Sequence, residues 1–112
     1  MAPRLASSVL VGALRRRAEL EGGYAAVLAK GDATAGAILV ILVERVGRTA
    51  LYERTLQPDG CYRWAPHDPP PDAPDAVPAF VARRRRSDPD LWVLELHVPS
   101  IERFAAGMNA FD

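Results

Sequence analysis

Seven consecutive residues, Ala37 to Val43, read AILVILV and include no polar side chain. Successive residues of a strand point to opposite faces of a sheet, so a run that is apolar at every position indicates a strand covered on both faces. We therefore predict that this run forms the central strand of a sheet. The rest of the fold is assigned around it.

Four further segments have the composition of strands: Tyr24 to Lys30, Thr49 to Leu56, Cys61 to Trp64 and Leu91 to Val98. Short turns separate the strands that precede residue 65, so the simplest arrangement joins them as sequential antiparallel hairpins. The last strand is predicted to return and pair within the same sheet. Its residues Trp92, Leu94, Leu96 and Val98 share one face, which should be the core face.

Two main helices complete the predicted domain. Ser7 or Ser8 can cap a first helix that runs to about Glu21, and a second helix is predicted over about Ala76 to Ser87. The fold class is therefore α+β. We expect a small single domain over residues 1–112, in which an antiparallel sheet of four or five strands packs against two main helices in the order α-β-β-β-β-α-β.

Two segments are predicted to lack regular structure. Residues 65–75 read APHDPPPDAPD, and so many prolines indicate an extended surface loop. Residues 107–112 are predicted to be a frayed tail. Before that tail, Ile101, Phe104 and Ala105 can form a short helix.

The charge balance limits the classes of function. Fourteen basic and fourteen acidic residues cancel to a net charge of zero, which excludes the strong overall basic field of a dedicated nucleic-acid binder. The single cysteine, Cys61, excludes an internal disulfide and a thiolate-rich metal cage, and its expected state is a buried, inert thiol. The segment from Gly31 to Gly36 has the glycine spacing of a phosphate-binding loop but lacks the lysine and hydroxyl residue that follow it, so no cofactor is predicted.

The expected location is the cytoplasm, without membrane attachment. An apolar stretch near the N-terminus superficially resembles a signal peptide, but Arg15 to Arg17 follow it where small residues should form a cleavage site. The stretch is also too short to cross a bilayer. A single cysteine suits a reducing compartment.

The most conspicuous candidate site is the run Arg83, Arg84, Arg85 and Arg86 at the end of the second helix. Guanidinium groups there can hold phosphates or the carboxylates of a partner. The alternative is a structural one, because cations at the C-terminus of a helix complement its dipole, and four consecutive residues spread around most of its circumference.

A second arginine cluster follows the same pattern at the end of the first helix, where Arg15 and Arg16 are the candidate binding residues. The structural alternative is the same as for the first cluster. If both helices lie on one side of the sheet, the two clusters merge into one basic surface.

The only group that resembles a catalytic site comprises Asp88, Asp90, Glu95 and His97. Two loop aspartates before a strand that carries Glu-x-His are loosely similar to the carboxylate clusters of metal-dependent nucleases. The lysine that usually follows the glutamate is absent. In the alternative interpretation, the aspartates end the helix and form a turn, while Glu95 and His97 lie on the less buried face of an edge strand.

Several of these segments together resemble a family of short alphaproteobacterial proteins, domain of unknown function 1491. The residues that carry the resemblance are Leu14-Arg15-Arg16, Gly31-Asp32, Ala35-Gly36, Leu51-Tyr52, Trp64, Arg84-Arg85, Asp88-Pro89-Asp90-Leu91-Trp92-Val93 and Glu95. The resemblance implies a bacterial origin and a compact cytoplasmic domain. It implies no assigned activity and supplies no catalytic residue.

The sequence therefore favours a non-enzymatic interaction module, with a homodimer as one possible state. Its arginine-rich surface would hold an acidic protein, a nucleic acid or an anionic ligand. The alternative is a metal-dependent hydrolase or nuclease centred on Asp88, Asp90, Glu95 and His97.

Overall fold

Three helices and five strands make up the part of the chain that the structure, a computed structural model, describes: residues 5–45, 47–67 and 75–109. In chain order they are α1 (Ser7–Leu20), β1 (Tyr24–Ala29), β2 (Ile38–Val43), β3 (Thr49–Leu56), β4 (Tyr62–Pro66), α2 (Ala76–Ser87), β5 (Trp92–His97) and α3 (Ile101–Met108). The predicted α+β class is confirmed, and α3 is a third helix in addition to the two main helices. None of these helices is long and apolar enough to cross a bilayer.

The strands form one sheet in the order β1-β5-β2-β3-β4. Strand β2 lies between β5 and β3, which confirms the central position predicted from AILVILV. The antiparallel hairpins β2–β3 and β3–β4 are also as expected. Strand β1, however, pairs with β5 and not with β2, and β5 runs parallel to β2, so the sheet is mixed.

Strand β5 is therefore an interior strand and not the edge strand of the alternative interpretation of Glu95 and His97. The physical reason is that it is apolar on both faces: Leu94 and Leu96 are buried on one side, and Leu91 and Val93 on the other. A strand with two buried faces is most stable with neighbours on both sides.

Helices cover both faces of the sheet. On the face that we call the α1/α3 face, Ile38, Val40 and Leu42 of β2 pack in one core with Leu10 of α1 and Phe104 of α3. On the opposite face, the α2 face, Leu39 and Ile41 of β2 and Val93 of β5 pack against α2 through Val77 and Phe80. The alternation along β2 thus divides the core into two layers.

Ser7 anchors a loop to α1 and does not cap the helix as predicted. The N-cap position is Ala6, and no side chain caps that end. The buried Ser7 hydroxyl donates to the Gly36 carbonyl at 2.6 Å. In the same loop, the Asp32 carbonyl accepts a hydrogen bond of 2.7 Å from the indole of Trp92. These bonds fix the connection between β1 and β2 against the start of α1 and the start of β5.

The two segments predicted to be irregular are only partly described. Ala65 and Pro66 were predicted to be part of the loop but belong to β4, and residues 68–74 lie outside the described residues. Gly107 and Met108 belong to α3, and Met108 is fully buried. Residues 110–112 of the predicted tail lie outside the described residues.

Candidate functional site

The four arginines at the end of α2 divide into two pairs. Arg83 and Arg86 are exposed, while Arg84 and Arg85 are half-buried. The division follows from the helix, which advances by one turn every 3.6 residues and points consecutive side chains in different directions.

Arg84 joins α2 to the sheet. Its Nη2 donates to Oε2 of Glu53 on β3 at 2.8 Å, and the other carboxylate oxygen of Glu53 lies 3.1 Å from Nε2 of His67. The His67 ring contacts the edge of Phe80 in α2, with 5.4 Å between the ring centroids. The Glu53 side chain is only 16 % exposed, so these partners provide hydrogen bonds to carboxylate oxygens that are largely removed from water.

Arg85 holds the connection between α2 and β5. Its Nη1 donates to the carbonyls of Pro89 at 2.5 Å and Leu91 at 2.8 Å. In the same turn, Oδ1 of Asp88 accepts from the backbone amide of Asp90 at 3.2 Å. Arg84 and Arg85, which we call the inner pair, thus have a structural role.

We expect Arg84→Gln to lower the free energy of unfolding by about 1–2 kcal/mol, because it leaves Glu53 without its charged partner in a half-buried position. Urea denaturation at neutral pH measures this. The matched control is Arg86→Gln, which should change the free energy by no more than about 0.5 kcal/mol. Equal effects of the two substitutions would contradict the structural role of Arg84.

Arg83 and Arg86, which we call the outer pair, form a basic surface. The guanidinium of Arg83 lies 6.0 Å from the ring centroid of Phe80. Arg63 is exposed on the edge strand β4, and because the adjacent Trp64 packs into the α1/α3 core, Arg63 lies on the α2 face. We call Arg83 and Arg86 the α2 basic surface, and Arg63 is a further exposed arginine on the same face of the sheet. Arg63 was not among the site residues predicted from the sequence, although its alternation with Trp64 indicates that it lies on the opposite face of the strand.

The two arginine clusters do not converge. Arg15 and Arg16 are exposed on α1, which packs on the opposite face of the sheet from α2. Arg17 completes that cluster but is occupied locally: it pairs with Glu21 at 3.0 Å and lies 4.8 Å from the ring centroid of Phe104. The single merged basic surface therefore does not form.

The four residues of the predicted metal site do not converge either. Asp88 and Asp90 lie in the turn before β5, whereas Glu95 and His97 lie in its second half, so roughly 16 Å of strand separates Asp90 from Glu95. Glu95 and His97 bind each other instead, with 2.6 Å between Oε1 and Nε2. Within the described residues, no group of three or more His, Cys, Asp and Glu side chains is placed to hold a metal ion.

Cys61 also differs from its prediction. The thiol was expected to be buried, but the residue is exposed in the turn between β3 and β4. Its backbone amide donates to Oδ1 of Asp59 at 2.9 Å. The turn residue Asp59 thus determines the local structure.

A separate group of charges holds the start of α3. Oε2 of Glu44 accepts from the backbone amide of Ile101 at 2.7 Å, and Arg48 bridges Glu44 and Glu102. The hydrogen bond from Arg48 lowers the pKa of the Glu102 carboxyl, and the same bond raises the pKa of the Arg48 guanidinium. Glu44 thus satisfies the Ile101 amide, while the Ser100 hydroxyl accepts from the Arg103 amide at the same helix N-terminus.

The described residues thus define a small α+β domain with an arginine-bearing helix on one face of a mixed sheet. The chain belongs to the family described as Protein of unknown function (DUF1491), which matches residues 5–106. The resemblance inferred from the sequence motifs is therefore confirmed. No match was found among curated proteins.

Three solved structures are similar over nearly the whole chain. A crystal structure of a DUF1491 family protein from Caulobacter crescentus is 39 % identical, covers 90 % of this chain and 94 % of its own, and has a TM-score of 0.80. An NMR structure of a family protein from the same organism is 36 % identical, with coverages of 93 % and 94 % and a TM-score of 0.80. The solution structure of protein Atu0922 from A. tumefaciens is 34 % identical, with coverages of 92 % and 93 % and a TM-score of 0.77.

Proposed function

We propose that this protein is a non-enzymatic binding module whose α2 basic surface contacts an acidic segment of a partner protein. The observation that carries the proposal is the difference between the two pairs of arginines in α2. Arg84 and Arg85 make structural contacts. Arg83 and Arg86 are exposed one helical turn apart. Nothing in the described residues supports the hydrolase alternative, since the acidic residues are dispersed.

The inner pair makes the outer pair a better binding site. Because α2 is tied to β3 by Arg84 and to the start of β5 by Arg85, the helix presents its exposed guanidiniums from a fixed position. A preorganised surface loses less conformational entropy on binding than a mobile one. Guanidinium groups also match the planar geometry of carboxylates.

An acidic protein is favoured over nucleic acid as the partner. The chain has no net charge, and only two arginines form the α2 basic surface. Nucleic-acid binding depends on many phosphate contacts and on a local positive potential. A short run of carboxylates needs fewer contacts, and two exposed arginines on one helical turn can hold it.

We further propose that the module acts in the cytoplasm. The exposed thiol of Cys61 supports this location, because an accessible thiol remains reduced most readily in a reducing compartment.

A fluorescently labelled decaglutamate peptide is a suitable probe of this surface. We expect saturable binding in fluorescence anisotropy that weakens as the salt concentration rises, because the contacts are between charges near solvent. The R83Q/R86Q variant should bind about tenfold more weakly, which corresponds to a loss of about 1.4 kcal/mol.

The matched control is R15Q/R16Q, which removes the same number of exposed charges from the opposite face of the sheet. It should leave the affinity within about twofold of the unmodified protein, since charges more than a Debye length away are screened. Equal weakening by both variants would contradict a site on α2. Tighter binding of single-stranded DNA than of decaglutamate would contradict the assignment of an acidic protein partner.

A further inference from the structure

A cleft of about 500 Å³ lies at the end of the sheet where the parallel strands β2 and β5 both finish. In open, mostly parallel α/β sheets, crevices beyond the carboxyl ends of the strands are common ligand sites, and the parallel pair β2–β5 presents two such ends here. Helix α2 packs over Leu39 and Val93, which lie earlier in these strands. The cleft is formed instead by the turn between α1 and β1 together with the residues that follow β2 and β5.

The cleft depends on a close approach of two backbone segments. A Cβ atom at Gly23 would lie 1.7 Å from the carbonyl oxygen of His97, so only glycine allows the turn after α1 to lie against the end of β5. Val43 and Pro99 add apolar surface to the same cleft. The cleft therefore has a rigid backbone wall and an apolar lining.

Two aromatic rings stand together in this cleft. The ring of His97 stacks on that of Tyr24, with centroids 4.1 Å apart and 11° between the planes. Oε1 of Glu95 lies 2.6 Å from Nε2 of His97 and fixes the orientation of the imidazole. Tyr24 is still 57 % exposed, so the ring face opposite His97 is open to a flat ligand.

One cation completes the lining. Arg45 follows β2, is exposed and borders the cleft that also contains Tyr24 and His97. A guanidinium binds a carboxylate through two parallel hydrogen bonds. The carboxylate of Glu95 contacts His97, which lines the cleft, and this nearby negative charge favours a ligand with one negative charge over a phosphate with two.

We infer that this cleft binds a small monoanionic carboxylate carried on a flat aromatic ring. The ring stacks on the open face of Tyr24, and the carboxylate pairs with Arg45. The site shares no residue with the α2 basic surface, so an experiment that disproves one site leaves the proposal for the other unaffected.

Benzoate is the simplest probe that has both features, and the backbone amide shifts of the labelled protein are the readout. We expect saturable shifts in the amides of Gly23, Tyr24, Arg45 and His97. Benzyl alcohol lacks the charge and acetate lacks the ring, so each should bind about tenfold or more weakly, as expected from the loss of a charge-assisted contact or a stacked ring. Shifts that rise linearly without saturation, or that lie outside this cleft, would overturn the inference.

Arg45→Gln and Tyr24→Leu test the two halves of the site. Both positions are exposed, so the variants should fold, and an unchanged spectrum in regions distant from the cleft verifies this. Each should weaken benzoate binding about tenfold. Arg86→Gln is the matched control and should bind benzoate normally. Unchanged affinity in Arg45→Gln would overturn the assignment of a carboxylate ligand, and unchanged affinity in Tyr24→Leu would overturn the stacking.

Discussion

Leu94→Ala is expected to lower the free energy of unfolding by about 2–5 kcal/mol, the range for leucine truncation in a packed core. Leu94 lies in the interior strand β5, is fully buried and packs in the α1/α3 core. The substitution removes apolar contacts and leaves a cavity between a helix layer and a sheet, where the backbone relaxes little. Urea denaturation followed by circular dichroism measures the change.

The control for this prediction is Leu20→Ala in α1. Leu20 is 88 % exposed, so its truncation should change the free energy of unfolding by no more than about 0.5 kcal/mol. If Leu94→Ala were as mild as Leu20→Ala, β5 would not be an interior strand of this sheet.

Gly23→Ala is expected to destabilise the protein by at least about 3 kcal/mol or to prevent folding, because the added Cβ would collide with the backbone of His97. The backbone on one side has to move, and the pairing of β1 with β5 begins at the next residue, Tyr24. Thermal unfolding of the purified variant measures the loss, and a variant that does not accumulate as folded protein also agrees with it.

The neighbouring Gly22 is a matched control for the same substitution. Its φ is +89°, and a Cβ there would meet nothing within 4 Å. Gly22→Ala should therefore lower the free energy of unfolding by only about 1–2 kcal/mol, the strain of a left-handed backbone at a non-glycine residue. A smaller effect at Gly23 than at Gly22 would show that the close approach to β5 is not required.

The parts of the fold that local pattern determines could be predicted from the sequence. The run AILVILV is apolar at every position, and it indeed lies in the centre of the sheet with both faces covered. The hairpins β2–β3 and β3–β4 followed from their short connections. Helix α2 was placed correctly over Ala76–Ser87.

The parts that depend on distant pairing could not be predicted. The alternation of side chains along β5 showed which of its residues share a face. It did not show that β1 would pair with β5 and not with β2. Glu95 and His97 suggested a solvated edge strand. They are half-buried in an interior strand because each is the partner of the other, and Tyr24 of β1 stacks on His97.

The candidate site shows the same limit. The sequence displays four consecutive arginines, but it does not show which of them are occupied. The partner of Arg84 is Glu53, which lies 31 residues earlier in the chain and reaches it only through the packing of α2 on β3. The division into structural and exposed arginines is therefore a property of the tertiary structure.

The most direct test of that division compares R83Q/R86Q with R84Q/R85Q in two assays, the affinity for decaglutamate and the free energy of unfolding. R83Q/R86Q is predicted to bind about tenfold more weakly and to unfold within about 0.5 kcal/mol of the unmodified protein. R84Q/R85Q is predicted to lose about 2–4 kcal/mol of stability and, while folded, to bind within about threefold of normal. Equal loss of binding in the two variants, or destabilisation by R83Q/R86Q, would contradict the assignment of the exposed pair to partner binding.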